Sequence, residues 1–150
     1  MAEAASVCLD DCGHTSPTYL AVDGDQDRSY AMIWQLVTEQ ARRSWADEQF
    51  ATEQGAYGVA ILLVRDMRGH SVVERSRKGN GFDYWMGPAD GTLFSAKSRL
   101  EVSGIRRGDP GQIGRRVREK TQQIAVSSGR LPGIVVVVEF GKPIARLVDR

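Results

Sequence analysis

Two acidic residues in the middle of the chain lie on predicted neighbouring strands, where together they could bind a metal ion. Asp83 lies in the run FDYWM and Glu101 in the run SRLEVSG, with seventeen residues between them. Side chains alternate along a strand, and both carboxylates fall on the polar face of predicted neighbouring strands, where they would approach each other. Mg²⁺ prefers oxygen ligands and keeps several water molecules. We therefore predict that Asp83 and Glu101 hold Mg²⁺ or Mn²⁺.

Basic residues follow this pair and precede it. The turn at residues 77–81 reads RKGNG, which places two cations beside glycines suited to positive φ. Such a turn can clasp a phosphate or simply join two strands, and both alternatives stay open. A basic helix at residues 110–127 is a second phosphate-contacting candidate, or else a solvated surface. The predicted nucleic-acid contacts are Arg77, Lys78, Arg115, Arg116, Arg118 and Gln123.

Two helices are predicted before the strands. Apolar residues recur at helical spacing in residues 29–49 and again in residues 52–68. Glu53, near the start of the second helix, either complements the helix dipole or supplies a further carboxylate to the site. Residues 1–27 show no sustained period and are predicted as an irregular arm, followed by a single α/β domain at residues 28–150.

The rest of the domain combines strands with the basic helix. Asp109 and Pro110 suit the first turn of that helix, and Gly129 suits the position beyond its end. The run GIVVVVEF is nearly all apolar, which indicates a strand buried on both faces. The predicted strands are residues 71–76, 82–86, 93–104 and 133–140, with a short edge strand in the run IARLV.

Charge is distributed unevenly along the chain. Residues 1–64 hold three Arg or Lys against ten Asp or Glu, and residues 65–150 hold seventeen against nine, which gives net charges of −7 and +8. A polyanion would therefore bind the second part. The sequence has neither an apolar run of membrane-spanning length nor a signal-peptide pattern at its beginning, so we expect a cytoplasmic protein without a membrane partner.

Cys8, Cys12 and His14 form the one other group with metal-binding residue types. Three soft ligands within seven residues could begin a zinc site, but a fourth ligand would have to be remote and the only other histidine is His70. We therefore predict reduced thiols and assign no metal to this group.

The order helix, three strands, basic helix and buried strand resembles the restriction-endonuclease-like, or PD-(D/E)XK, nuclease superfamily. The resemblance covers roughly residues 50–142 and implies an αβββαβ core, a mixed central sheet flanked by helices, with the helix at 29–49 as an extra N-terminal element. It matches Glu53 to the acidic residue of the opening helix, Asp83 to the motif aspartate and Glu101 to the first residue of the (D/E)XK triplet.

The third triplet position departs from this pattern. Ser103 stands where the family has a lysine that helps to orient and activate the attacking water. The replacement cation is predicted to come from Lys97 on the same strand face, or from Lys120 or Arg116 on the basic helix. Gln123 could also position the water.

The resemblance implies a Mg²⁺-dependent nuclease, a hydrolase that acts on nucleic acid, with DNA favoured over RNA. Asp83, Glu101 and either Lys97 or Lys120 would be catalytic, and Glu53 would assist at the metal. The alternative is a catalytically degenerate subunit that binds nucleic acid or serves as a scaffold in a larger complex or homodimer, with a role in defence against foreign DNA. A third alternative is a structural α/β domain whose charged residues form surface pairs.

Overall fold

The computed structural model describes residues 1–24, 28–88, 95–127 and 131–150. Helices and strands alternate along the described part of the chain, which makes the fold α/β. The helices are α1 (Ala2–Asp11), α2 (Glu39–Ser44), α3 (Glu48–Arg68) and α4 (Pro110–Val126). The strands are β1 (Thr18–Gly24), β2 (Arg28–Met32), β3 (His70–Arg75), β4 (Tyr84–Pro88), β5 (Ser98–Ile105), β6 (Gly133–Glu139) and β7 (Ile144–Asp149).

The seven strands form one mixed sheet in the order β2-β1-β7-β6-β5-β4-β3. The pairs β5·β6 and β1·β7 are parallel, and the other neighbouring pairs are antiparallel. Strand β6 lies in the middle and is buried along its whole length. Its predicted burial on both faces is confirmed, because its side chains alternate between two separate apolar clusters.

Helices cover both faces of the sheet, as the predicted α/β architecture requires. Apolar residues of α1 and α3 pack with β1, β4, β5, β6 and β7 in the larger core, which includes Val59, Leu63, Met86 and Leu100. Helix α4 packs on the other face, where Ile113 and Ile124 contact Val135 and Val137 of β6. Strand β5 therefore lies between α3 on one side and α4 on the other.

Local signals in the sequence fix the ends of the two long helices. The Asp109 side chain accepts a hydrogen bond from the Gln112 N–H, and the Gln112 side chain accepts one from the Asp109 N–H, so a capping box begins α4. Helix α3 ends at Arg68 and is capped by Gly69, whose φ of 66° is in the left-handed region that favours glycine. The predicted helices at residues 110–127 and 52–68 are thus confirmed, although α3 starts earlier, after its N-cap Asp47.

The predictions for the first third of the chain are wrong in several places. The supposedly irregular residues 1–27 contain α1 and β1, and both contribute to the main core. The predicted helix at residues 29–49 is instead β2 followed by irregular chain and the short α2. The stripe of Trp34, Val37, Ala41 and Trp45 does pack together, but onto Val7 of α1.

Two strand predictions also need correction. Strand β7, expected at the edge of the sheet, pairs with β6 on one side and β1 on the other, so it is an interior strand. The strand expected from residue 93 begins at Ser98, and residues 89–94 lie outside the described part of the chain. Within the described residues, no helix is both long and apolar enough to cross a lipid bilayer.

Candidate metal centre

Strands β4 and β5 bring the two predicted carboxylates face to face. Tyr84 pairs with Leu100 in the antiparallel register of these strands. Continuing that register by one residue sets Asp83 opposite Glu101. The Asp83 N–H donates to the Leu100 carbonyl at 2.8 Å, which holds Asp83 against β5 just before β4 begins. The expected approach of Asp83 and Glu101 across neighbouring antiparallel strands therefore has a direct backbone cause.

The Asp83 carboxylate is fixed by one donor at each oxygen. The Tyr57 hydroxyl, from α3, donates to Oδ1 at 2.8 Å. The Val102 N–H of β5 donates to Oδ2, also at 2.8 Å. The side chain of Asp83 thus takes the place of a backbone acceptor at the point where the β4–β5 ladder ends, which restricts its rotamer.

Glu101 is the more deeply buried residue of this pair, with an exposed fraction of 2%. Its Oε1 accepts from Lys120 Nζ at 2.6 Å and from Gln123 Nε2 at 2.9 Å, both on α4. Burial, and after it the nearby Asp83 charge, raise the pKa of Glu101, the Lys120 ammonium partly opposes them, and the result is a pKa of about 7. A carboxyl with this pKa exchanges its proton near neutral pH.

Helix α4 lies across β5 so that polar residues on the same face of the strand each contact it. Arg99 donates to the Ile124 carbonyl at 3.1 Å, near the end of the helix. Glu101 contacts Lys120, and the Ser103 hydroxyl accepts from Arg116 at 2.8 Å. Alternate side chains of β5 thus contact successive turns of α4. Lys120 is the residue of the helix that contacts the carboxylate pair.

Two cavities meet at the carboxylate pair, and Asp83, Glu101 and Lys120 line both. The smaller, of about 170 Å³, is bounded on its far side by Glu53, Tyr57, Ser103 and Arg116, among others. The larger, of about 410 Å³, extends towards the turn at residues 77–81 and is also lined by Arg75, Arg77, Lys78, Phe82 and Gln123. Eight of the eleven predicted site residues therefore line one or both of these cavities.

Three of the predicted residues lie apart from the carboxylate pair. Lys97 is exposed, precedes β5 and lines neither cavity. Arg115 and Arg118 are exposed on α4, and neither lines the two cavities. Lys97 and Lys120 were the two lysines predicted to replace the one that the family pattern has at position 103. Of these two, only Lys120 contacts Glu101.

Asp83 and Glu101 supply the oxygen chemistry that a hard divalent cation requires. Mg²⁺ sites in proteins often use one or two carboxylates and leave other positions to water and substrate phosphate, so the pair fits such an ion. Glu53 shares the smaller cavity, but its Oε1 accepts from Gln49 at 3.3 Å on the exposed side of α3. Over the described ranges, no group of three or more His, Cys, Asp or Glu side chains is arranged to hold a metal.

Sequence reasoning missed two residues that support the pair, Tyr57 and Arg75. Tyr57 holds Asp83, and the Arg75 guanidinium lies 5.4 Å from the ring centroids of both Tyr57 and Tyr84. Tyr57 follows Glu53 by four residues, so the helical period of residues 52–68 placed the two on one face. That spacing was the signal available in the sequence.

The cysteine group near the N-terminus lines neither of the two cavities at the carboxylate pair. Cys8 is buried and its thiol contacts the Ala51 carbonyl, while Cys12 contacts the Arg106 carbonyl. His14 Nε2 lies 3.0 Å from the Phe140 carbonyl oxygen. Both cysteines are free, and their contacts are structural.

Comparisons with known proteins leave the site to be judged on its own geometry, since no family model, curated protein or solved structure matches this chain.

Proposed function

We propose that this chain is a metal-dependent nuclease domain that hydrolyses phosphodiester bonds in nucleic acid. One observation carries the proposal: Lys120 Nζ lies 2.6 Å from Glu101 Oε1. The cation that Ser103 does not provide is therefore supplied to the same carboxylate by α4. A buried carboxylate pair with an adjacent ammonium is a combination suited to stabilising charge on a phosphate.

The order of elements supports a restriction-endonuclease-like core. Helix α3 is followed by β3, β4 and β5, then by α4 and β6, which is the αβββαβ order that the resemblance implies. Asp83 immediately precedes the second of these strands and Glu101 lies within the third, positions compatible with the motif residues that the resemblance implies. The added strands β1, β2 and β7 extend the sheet on the side away from the carboxylate pair.

The residues of the site divide the chemical tasks between them. Asp83 and Glu101 would hold Mg²⁺ or Mn²⁺, which supplies charge neutralisation at the phosphate when bound. Lys120 is placed to stabilise negative charge that develops on the phosphate, and Gln123 to orient a water molecule by hydrogen bonding. Arg116, in the smaller cavity, adds positive charge beside the same carboxylates.

A second candidate is a nuclease-fold subunit that binds nucleic acid without cutting it. Its support is that both oxygens of Asp83 and one oxygen of Glu101 already have donors within the protein. Such a protein would keep the cationic surfaces and lose the requirement for a divalent ion. It would serve in a larger complex, with DNA favoured as the ligand.

The deciding experiment is a cleavage time course on single-stranded and double-stranded DNA and RNA, with Mg²⁺, Mn²⁺ or EDTA. Asp83→Asn keeps an acceptor oxygen for the Val102 N–H, its amide group can donate to the Tyr57 hydroxyl, and the charge is removed, so it should fold and fail to cut. Lys120→Ala should lower the rate by about a hundredfold or more. Lys97→Ala, an exposed lysine outside both cavities, is the matched control and should cut like the parent.

The possible results separate the two candidates. Cleavage that requires a divalent ion and is lost in Asp83→Asn supports the nuclease. Binding without cleavage by the parent supports the subunit. Cleavage that survives Asp83→Asn places the chemistry elsewhere and overturns both.

A further inference from the structure

The two cavities beside the carboxylate pair differ in what they can hold. Pockets for small organic ligands enclose roughly 300–1,000 Å³. The larger cavity, at about 410 Å³, lies within that range, whereas the smaller, at about 170 Å³, falls below it. A polynucleotide placed with one phosphate at Asp83 and Glu101 therefore finds a ligand-sized pocket on one side only.

The larger cavity is also lined by several basic side chains that come from different elements of the fold. Arg75, Arg77 and Lys78 line it from β3 and the following turn, and Lys120 lines it from α4. Arg77 and Lys78 are exposed, and neither forms an ion pair with any carboxylate in the described part of the chain. These two charges are available for an anionic group of a ligand.

The turn that carries Arg77 and Lys78 is held firmly against α4. Gly81 has a φ of 80°, and a Cβ there would lie 2.9 Å from the Ser127 Cβ, so only glycine allows this close approach. The Gln123 side chain donates to the Gly81 carbonyl at 3.3 Å. One wall of the larger cavity is thus fixed by the same Gln123 that contacts Glu101.

We infer that the larger cavity is a pocket for the terminal nucleotide of a nucleic-acid strand. This inference rests on the proposed function, since it places the phosphate at Asp83 and Glu101. The nucleoside then occupies the cavity beside Phe82, and the terminal phosphate of the strand, on the far side of that nucleoside, meets Arg77 and Lys78. The chain accordingly recognises strand ends and acts there in preference to internal positions.

The test compares a linear single-stranded DNA oligonucleotide, with a phosphate at each end, with a circularised form of the same sequence. Binding is measured by fluorescence anisotropy in Ca²⁺, so that cleavage is suppressed, and thymidine monophosphate binding is measured by titration calorimetry. We expect the linear form to bind at least about tenfold more tightly than the circle. Thymidine monophosphate should bind and compete with the linear form, and thymidine should not.

Two double variants separate the pocket from general electrostatic attraction. Arg77→Gln with Lys78→Gln should abolish both the preference for the linear form and the binding of thymidine monophosphate. Arg115→Gln with Arg118→Gln removes the same charge outside the cavity and should weaken linear and circular DNA equally. A thermal unfolding measurement on each variant establishes that it is folded.

The outcomes are distinguishable from failure of the proposed function. Equal binding of linear and circular DNA, with no binding of thymidine monophosphate, overturns the terminal pocket and leaves a nuclease that acts at internal positions. Absence of binding to every nucleotide and polynucleotide overturns the proposed function as well. End preference that persists in the Arg77 and Lys78 double variant places the recognition elsewhere and overturns the assignment to this cavity.

Discussion

Lys120 on α4 donates to Glu101 on β5 at 2.6 Å, across the interface between a helix and the sheet. The side chain of Glu101 is almost fully buried, and that of Lys120 is about one quarter exposed, with a fraction of 23%. Separating a buried pair of this kind leaves a charge without compensation. The same contact that joins α4 to the sheet therefore also controls the charge of the candidate metal centre.

The first prediction concerns the pH dependence of stability. The pKa of Glu101 is raised to about 7 in the folded protein, from an ordinary value of 4.5. A raised folded pKa means that the native state binds the proton more tightly than the unfolded state. The contribution of Glu101 to the free energy of unfolding therefore falls as pH rises from about 4.5 to 7. Above that window the cost is constant.

Glu101→Gln should therefore become more stable relative to the parent across that window. The change should be of the order of 1 kcal/mol or more, since one pKa unit corresponds to about 1.4 kcal/mol. Chemical denaturation at pH 5 and pH 8 measures it, with Glu53→Gln, a more exposed glutamate of the same site, as the control. A stability difference that does not change with pH would contradict the raised pKa.

The second prediction rests on the proposed function: the exposed arginines of α4 are expected to contact nucleic acid. Arg115 and Arg118 are exposed and lie outside the two cavities, whereas Arg116 donates to Ser103. Each phosphate contact changes the slope of log K against log salt by about 0.9 on duplex DNA and about 0.7 on single strands. Arg115→Ala with Arg118→Ala should flatten that slope by roughly 1 to 2, as measured by anisotropy at several salt concentrations.

Arg43→Ala provides the matched comparison for α4. Arg43 is also exposed, but it lies on α2, in the acidic part of the chain. Its removal should leave the slope unchanged. The same flattening per arginine removed, at Arg43 as at the α4 pair, would show that the attraction depends on net charge and not on this surface.

The sequence predicted the elements that depend on local signals. The Asp109 cap, Pro110 and the helical period gave α4 to within one residue, and the apolar run gave β6. The first third failed because its structure depends on distant partners: β1 lies between β2 and β7, a strand that begins more than 100 residues later. Helical spacing in residues 29–49 was real, yet Ile33 and Leu36 are 79% and 90% exposed, so the stripe was not one buried face.

The candidate site also contains residues that the sequence could predict and residues that it could not. Asp83 and Glu101 could be paired from the sequence because alternation and a short connection place them on neighbouring strands. The choice between Lys97 and Lys120 could not be made, since it depends on how α4 crosses β5. Side-chain reach across that interface is a property of packing, which no pattern within either segment encodes.

The third prediction concerns the thiols. Burial raises the pKa of the Cys8 thiol to about 11, from 9.0, and Arg106 partly opposes this effect. Because the thiolate is the reactive form, the native protein at pH 8 should have about a hundredfold less Cys8 thiolate than the unfolded chain. Burial of the sulfur should slow its modification further.

The measurement uses Ellman's reagent on a Cys12→Ser variant, so that Cys8 is the only thiol. We expect slow reaction in buffer and fast reaction in guanidinium chloride. Reaction of the native variant as fast as a free thiol would show that α1 opens from the core. The parent protein, with its half-buried Cys12, serves as the comparison.

The last prediction rests on the proposed nuclease function and tests whether Lys120 substitutes for a lysine at position 103. Ser103 is only 7% exposed, and its hydroxyl accepts from Arg116. Ser103→Lys places an ammonium beside Arg116 and Lys120, so it should lower stability by about 1–3 kcal/mol without raising the cleavage rate of the parent. Ser103→Met, of similar size without the charge, separates the steric effect from the electrostatic one.

In the background of Lys120→Ala, however, Ser103→Lys restores a cation near Glu101 and should recover part of the lost rate, whereas Ser103→Met should not. Equal rates for these two double variants would show that Lys120 acts through the packing of α4 and not through its charge.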